Sequence, residues 1–172
     1  MTQTTKILLR RRLLLGLLIL AGALAQNCVL PNVGFQIYFL IPLTVIAAMF
    51  EKEIPGMLFG LLAGGIWDIS AATPDGLNAL FLCVTGCVCG LLAKYLMRNN
   101  LLSALALCSA ATVLFSVAHW LLYVLPLQAG GLFAALLRFY LPQAILTCLV
   151  SPLLYILIRA IEKKYRVPGE SR

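Results

Sequence analysis

Long apolar runs separated by short polar breaks dominate the pattern of the chain. A membrane-spanning helix needs about 20 apolar residues. Six stretches reach or approach that length: about 13–30, 34–50, 55–71, 76–97, 101–124 and 132–158. The breaks between them contain residues that favour turns, in the segments PNVG, EKEIP, TPDG, RNN and LPLQAGG. The pattern therefore predicts six transmembrane helices that form one domain over residues 1–172.

The composition also indicates a membrane protein. The chain has 172 residues, of which 62% are hydrophobic and 11% are charged, and its mean hydropathy is +1.00. Soluble domains carry about 25% charged residues. A net charge of +7 would suit a nucleic-acid-binding protein, but nearly all the charges lie at the ends of apolar runs. We therefore expect an all-α polytopic membrane protein that contacts the lipid bilayer and binds no nucleic acid.

The positions of the cations predict how these helices are oriented. Cytoplasmic loops of membrane proteins carry an excess of Lys and Arg. If the N-terminus lies in the cytoplasm, every Lys and Arg except Arg138 falls on the cytoplasmic side, and the three outer connections contain neither residue type. Arg138 lies within the sixth stretch. The sequence thus predicts six spans with both termini in the cytoplasm.

The first apolar stretch also permits a different interpretation. The segment KILLRRRLLLGLLILAGALAQ has a basic start, an apolar centre and the tripeptide Ala23, Leu24 and Ala25, as a cleavable signal peptide would. Cleavage would leave five spans, and the charges of the remaining loops would not contradict it. The apolar stretch continues through Val29 and Leu30, however, and the later spans need no signal peptide to insert. These observations favour an uncleaved first helix.

A stripe of small residues in the third stretch ends at a carboxylate, Asp68. Three glycines precede it at intervals of four, which places all four residues on one helix face. The fourth stretch contains two glycines at the same spacing. Small residues at this spacing let helix backbones approach closely in lipid. The predicted helix-packing positions are Gly56, Gly60, Gly64, Gly86 and Gly90.

An acidic residue inside a membrane span needs a partner. A central Asp costs about 3 kcal/mol on insertion scales, and such residues usually face inward. With the orientations above, His119 near the end of the fifth helix and Arg138 near the start of the sixth reach a depth similar to that of Asp68. We predict an intramembrane ion pair between Asp68 and Arg138, with His119 as a candidate third member. The alternative is that each side chain extends separately to the outer surface.

The segment after Asp68 predicts a tight outer turn. Pro74 fixes φ, and Gly76 permits a left-handed backbone conformation. Asp75 can accept hydrogen bonds at the start of the fourth helix. The third and fourth helices should therefore form a hairpin.

Residue types that catalysis or metal binding requires are scarce. His119 is the only histidine, and the cysteines lack the paired spacing of zinc sites. The sequence has no nucleophile and base at usable spacing, and no glycine-rich phosphate loop after a strand. We expect no catalytic, cofactor-binding or metal-binding residues and no enzymatic activity. Six cysteines should pack as small hydrophobic residues: Cys28, Cys83, Cys87, Cys89, Cys108 and Cys148.

The stretch GMLFGLLAGGIWDISAATPDGLNALFLCVTGCVCGLL resembles the rod shape-determining protein MreD family. That family carries a Gly-rich helix, an Asp, a short turn ending in Gly, and another apolar helix. Gly60, Asp68 and Gly76 are the matching positions in this sequence. Pro42 is similar to the family's proline early in the second helix, and SPLLYILIRAIEKKYR is similar to its Pro-containing last span with a basic tail.

This resemblance implies a non-enzymatic protein of the bacterial cytoplasmic (inner) membrane that belongs to the cell-elongation (rod shape) complex. The implied partners are MreC, the RodA–PBP2 peptidoglycan synthase and MreB filaments. The implied fold is a six-helix bundle like the substrate-binding S-components of ECF vitamin transporters.

A second function, that of an ECF S-component, stays open. Ala21 and Ala25 offer a weak small-residue face for a transport partner. Against this function, the outer connections are short and nearly devoid of the polar groups that a vitamin pocket needs.

Overall fold

The computed structural model describes residues 3–29, 37–51, 53–70, 76–95, 100–124 and 141–165. Within these ranges the chain forms six α-helices and no β-strand. The helices are α1 (Gln3–Leu24), α2 (Leu40–Phe50), α3 (Glu53–Ser70), α4 (Leu77–Tyr95), α5 (Leu101–His119) and α6 (Leu141–Lys164). A wider π-helical turn extends α1 over Ala25–Val29, and another extends α5 over Trp120–Val124.

Three described helical segments are long and apolar enough to cross a membrane: Leu77–Tyr95, Leu101–Tyr123 and Leu141–Lys164. They correspond to α4, to α5 with its π-helical turn, and to α6. For the described residues, the prediction of an all-helical chain is confirmed, and so is the expectation of helices long and apolar enough to cross a membrane. The count of six spans and the likeness to an S-component bundle stay predictions.

Helix α2 is the buried centre of the molecule. All 11 of its residues are buried, and it contacts α1, α3, α4, α5 and α6. A helix that is apolar on every side needs neighbours on every side, and the LIPLTVIAAMF sequence of α2 meets that description. At about 1.5 Å per residue, this helix is roughly half as long as the hydrocarbon core of a bilayer.

The outward faces of the peripheral helices are also apolar. Leu17 on α1 is 66% exposed, Leu114 on α5 is 62% exposed and Leu149 on α6 is 74% exposed. Soluble proteins rarely expose large contiguous apolar patches. These faces therefore agree with helices that contact lipid.

Polar contacts distinguish two ends of the helix bundle. At one end, ion pairs join the first half of α1 to the residue after α2 and to the end of α6. A separate ion pair at this end joins the end of α4 to the start of α3. We call this the charged end, defined by Arg11, Glu51, Glu53, Lys94 and Glu162. The opposite end holds the start of α2 and the ends of α3 and α5. We call it the aromatic end, defined by Tyr38, Trp67, Asp68, Phe115 and His119.

Candidate functional site

The contact between α3 and α4 is made by backbone against backbone. A Cβ atom added to Gly60 would lie 2.6 Å from the carbonyl carbon of Leu82. A Cβ atom added to Gly64 would lie 2.6 Å from the backbone nitrogen of Ala79. Because non-bonded carbon atoms normally sit about 3.5–4.0 Å apart, neither position has space for a side chain.

The other predicted helix-packing glycines lie at the same contact. A Cβ atom added to Gly86 would lie 2.9 Å from the carbonyl carbon of Gly56, and one added to Gly90 would lie 2.9 Å from the Cα of Glu53. Gly65 is different, because an added Cβ atom would meet nothing within 4 Å. All five glycines singled out by their spacing thus occupy one helix–helix contact, and their neighbour Gly65 lies off it.

Asp68 caps the helix that follows its own. Its Oδ1 accepts a hydrogen bond from the backbone N–H of Asn78 at 3.3 Å, and its Oδ2 accepts one from the backbone N–H of Ala79 at 2.9 Å. The first N–H groups of a helix have no partner within it, and negative charge is favourable there. Asp68, a residue that is 9% exposed, therefore joins the end of α3 to the start of α4 through its carboxylate.

Gly76, the residue before α4, adopts a left-handed backbone conformation. Its φ is +65°, in the left-handed region where glycine carries no steric penalty. Its carbonyl accepts the backbone N–H of Leu80 at 3.0 Å. Pro74 and Asp75, the other predicted turn residues, lie outside the described residues.

Aromatic rings fill the space beside Asp68. The Trp67 ring lies 5.5 Å from that of Tyr38 and 5.2 Å from that of Phe115. The His119 ring lies 5.9 Å from Phe115 and 4.5 Å from Tyr123. The structure thus brings the histidine into a ring cluster at the same end as Asp68. Arg138, the predicted partner of Asp68, lies outside the described residues, so that ion pair stays a prediction.

Hydrogen bonds that the sequence did not suggest tie α2 to its neighbours at the aromatic end. The Tyr38 hydroxyl donates to Oε1 of Gln143 at 2.7 Å, and the Tyr38 backbone N–H donates to Oγ1 of Thr147 at 3.2 Å. The backbone N–H of Leu40 donates to Oε1 of Gln26 at 3.0 Å. Side chains of α6 and of the π-helical turn after α1 therefore satisfy donors at the start of α2 and just before it.

A buried ion cluster holds the charged end together. Arg11 Nη2 lies 2.8 Å from Glu51 Oε1, and Arg11 Nη1 lies 3.3 Å from Glu162 Oε2. The side chains of Arg11 and Glu51 are only 3% and 2% exposed. Arg12 Nε adds a longer contact of 3.5 Å to Glu51 Oε2. One guanidinium thus links α1 to the end of α2 and to α6.

The pattern of apolar residues does not predict this cluster. A first span that starts near residue 13 leaves Arg10, Arg11 and Arg12 at its edge as orientation signals, whereas α1 begins at Gln3 and places all three inside a helix. The predicted topology nevertheless held a usable signal, since it placed Glu51 and Glu162 on the same side as these arginines. A second ion pair, Lys94 Nζ to Glu53 Oε1 at 2.8 Å, is more exposed.

Within the described residues, no group of three His, Cys, Asp or Glu side chains lies close enough to hold a metal ion. The six cysteines are free thiols, of which Cys89 and Cys108 are buried. Comparisons with family models, with curated proteins and with solved structures return no match. The functional proposal therefore rests on the residues of this chain and on the contacts described above.

Proposed function

We propose that the protein is a non-enzymatic component of the bacterial cell-elongation (rod shape) complex in the cytoplasmic membrane, where it assembles with MreC. Through MreC it joins the RodA–PBP2 synthase and MreB. One observation carries the proposal. The positions of the MreD-like motif, Gly60, Asp68 and Gly76, act together in one hairpin. Gly60 permits close backbone contact, Asp68 caps α4, and Gly76 supplies the left-handed residue before it.

These three roles are all structural. None places a nucleophile or an acid–base pair beside an open site, and each stabilises the α3–α4 hairpin. A motif that fixes a rigid helix pair is what an assembly protein needs, because a partner helix in lipid recognises packing surfaces rather than apolarity. The geometry therefore supports the functional class that the resemblance implies.

The proposed arrangement in the membrane is a six-helix, S-component-like bundle with both termini in the cytoplasm. The ion pair between Arg11 of α1 and Glu162 of α6 supports it. This contact holds the N-terminal half of α1 and the C-terminal end of α6 at the same end of the molecule. An even number of spans produces that result.

Cysteine labelling tests the arrangement. In an otherwise cysteine-free variant, Gln128→Cys should react with an impermeant thiol reagent on intact cells, because the loop near residue 128 is predicted to face out. The loops near Val33 and Pro74 carry the same expectation. Lys163→Cys, at the charged end, is the control and should react only after permeabilisation. Reaction of Gln128→Cys only after permeabilisation would contradict the topology.

Co-purification tests the function. The wild-type protein should bring down MreC, and Gly65→Leu should do so equally well because that position has free space. Gly64→Leu should bring down less, because its side chain would collide with the backbone of α4. Recovery of MreC that does not differ between these variants and an unrelated membrane protein would refute the proposal.

The second candidate function is that of an ECF S-component. Ala21 is exposed on α1 and Ala25 is half-buried, so the small-residue face that could dock a transport partner is accessible. This function predicts recovery of an ATPase pair with its membrane scaffold in place of MreC. The same purification therefore separates the two candidates.

A further inference from the structure

The charged end carries cations that no acidic side chain of the described residues neutralises. Glu162 pairs with Arg11, Glu51 pairs with both Arg11 and Arg12, and Glu53 pairs with Lys94. The exposed cations that remain without an acidic partner in the described chain are Lys6, Arg10, Arg159, Lys163 and Lys164. Two of them lie on α1 and three on α6, the two helices that the Arg11–Glu162 contact joins.

On α1 the cations continue an exposed apolar stripe. Lys6 and Arg10 are followed, at intervals of three and four, by leucines that are between 49% and 66% exposed. This spacing keeps them on one helix face. The leucines of the stripe are Leu13, Leu17, Leu20 and Leu24. The opposite face is buried in the core and carries Arg11, Leu15, Ile19 and Ala23.

On α6 the same order appears with the chain running in the other direction. Ile145, Leu149 and Ile156 are 59%, 74% and 61% exposed, and the face that they occupy ends at the exposed Lys163. Arg159 lies one turn before Lys163. Both helices therefore present an aliphatic face that ends in unneutralised cations at the charged end.

We propose that these two basic faces bind the phosphate headgroups of anionic phospholipids, whose acyl chains lie along the aliphatic stripes. Clusters of Lys and Arg beside a membrane helix are typical of anionic-lipid recognition. Here the order of cation and then leucine matches the order of headgroup and then acyl chain. The inference rests on the proposed membrane location and goes beyond the proposed role in the elongation complex.

The buried ion cluster holds the basic faces of α1 and α6 at the same height along the bundle. Arg11 binds Glu51 and Glu162 together, which fixes the height of α1 relative to α6. It also occupies the acids that would otherwise pair with the exposed cations. The exposed cations of α1 and α6 therefore keep their positive charge for contact with lipid headgroups, because Glu51 and Glu162 are buried against Arg11.

The test uses the purified full-length protein in vesicles of phosphatidylcholine and phosphatidylglycerol in equal amounts. Native mass spectrometry of the extracted protein then counts the retained molecules of each lipid. Wild-type protein should retain phosphatidylglycerol preferentially. Arg10→Gln should lower that preference by about fivefold, the factor that corresponds to one cation near an anionic surface. Arg10→Lys should keep it.

Lys94→Gln is the matched control, because it removes one positive charge that already pairs with Glu53. It should leave the lipid preference unchanged. Equal retention of the two lipids by the wild type, or equal losses in Arg10→Gln and Lys94→Gln, would overturn the inference. Failure of the protein to insert into the vesicles would overturn the membrane location as well. Normal recovery of MreC beside absent lipid preference would refute the lipid site alone.

Discussion

The charged end and the aromatic end both bury carboxylates, and they satisfy them differently. At the charged end, Glu51 and Glu162 meet the guanidinium of Arg11, which comes from a distant part of the chain. At the aromatic end, Asp68 meets the backbone N–H groups of Asn78 and Ala79, which follow it by only ten and eleven residues. The buried carboxylates of the charged end therefore depend chiefly on one side-chain cation, with a longer contact from Arg12 to Glu51. The carboxylate of the aromatic end depends on the position of a helix start.

This difference determines how much stability a single substitution removes at each end. Removing one partner of a buried ion pair leaves an uncompensated charge and costs about 3–5 kcal/mol. Losing a helix cap costs about 0.5–2 kcal/mol, since water or a neighbouring group can take over part of the role. The charged end should thus be the more sensitive of the two.

The largest effect should follow from Arg11→Gln. Among the described residues, this change leaves the buried Glu51 with only the longer contact to Arg12, and it removes the Arg11 contact of Glu162. We expect the free energy of unfolding in detergent to fall by about 3–5 kcal/mol. Arg10→Gln is the control, because Arg10 is adjacent and exposed. Equal losses in the two variants would show that burial of the ion pair is not what stabilises this end.

The next largest effect should come from the hairpin that supports the aromatic end. Gly64→Leu forces α3 away from α4, and overpacking of this kind costs about 1–3 kcal/mol or more. Gly60→Leu should behave similarly, and Gly65→Leu should be mild because its surroundings are open. Thermal unfolding of the three variants in one detergent measures the difference. Equal tolerance at all three positions would contradict a buried glycine face.

The sequence predicted best what depends on local periodicity. Stretches predicted at 55–71, 76–97 and 101–124 match α3, α4 and α5 with its π-helical turn to within two residues. The glycine spacing selected the positions at the hairpin contact. Such features are visible because a helix repeats its faces every few residues.

Features that depend on tertiary partners were missed. Helix α1 begins at Gln3 instead of near residue 13. A search for apolar stretches ends at Arg11 and Arg12, because it does not take into account that acids distant in the sequence neutralise them. The cap by Asp68 was also missed. Its partners belong to the next helix, and the geometry of the turn between the two helices, rather than periodicity, brings them within reach.

A smaller effect should follow from removing the cap itself. Asp68→Ala leaves the first N–H groups of α4 without their acceptor, and we expect a loss of about 0.5–2 kcal/mol. Asp68→Asn should cost less, because an Asn side chain also caps helices. Hydrogen exchange at Asn78 and Ala79 gives a local measurement alongside global unfolding. Equal exchange rates in the wild type and in Asp68→Ala would contradict the capping role.

The smallest effect concerns the predicted ion pair between Asp68 and Arg138. Each carboxylate oxygen of Asp68 already accepts one backbone N–H, but an ionised carboxylate offers about four acceptor sites. Beside it, Oδ1 of Asn78 is buried and has no hydrogen-bond donor among the described residues. A guanidinium arriving from outside those residues could serve both groups.

A double-mutant cycle with Asp68→Asn and Arg138→Gln isolates this contribution. Each single change should lower stability, and the double variant should recover part of the loss. We expect a coupling energy of about 0.5–1 kcal/mol, at the lower end of the range for contacting residues, because the cap already stabilises much of the charge. Strictly additive losses would mean that Arg138 extends to the outer surface by itself. The cap would then be the whole role of Asp68, and the aromatic end, unlike the charged end, would bury its carboxylate without any side-chain cation.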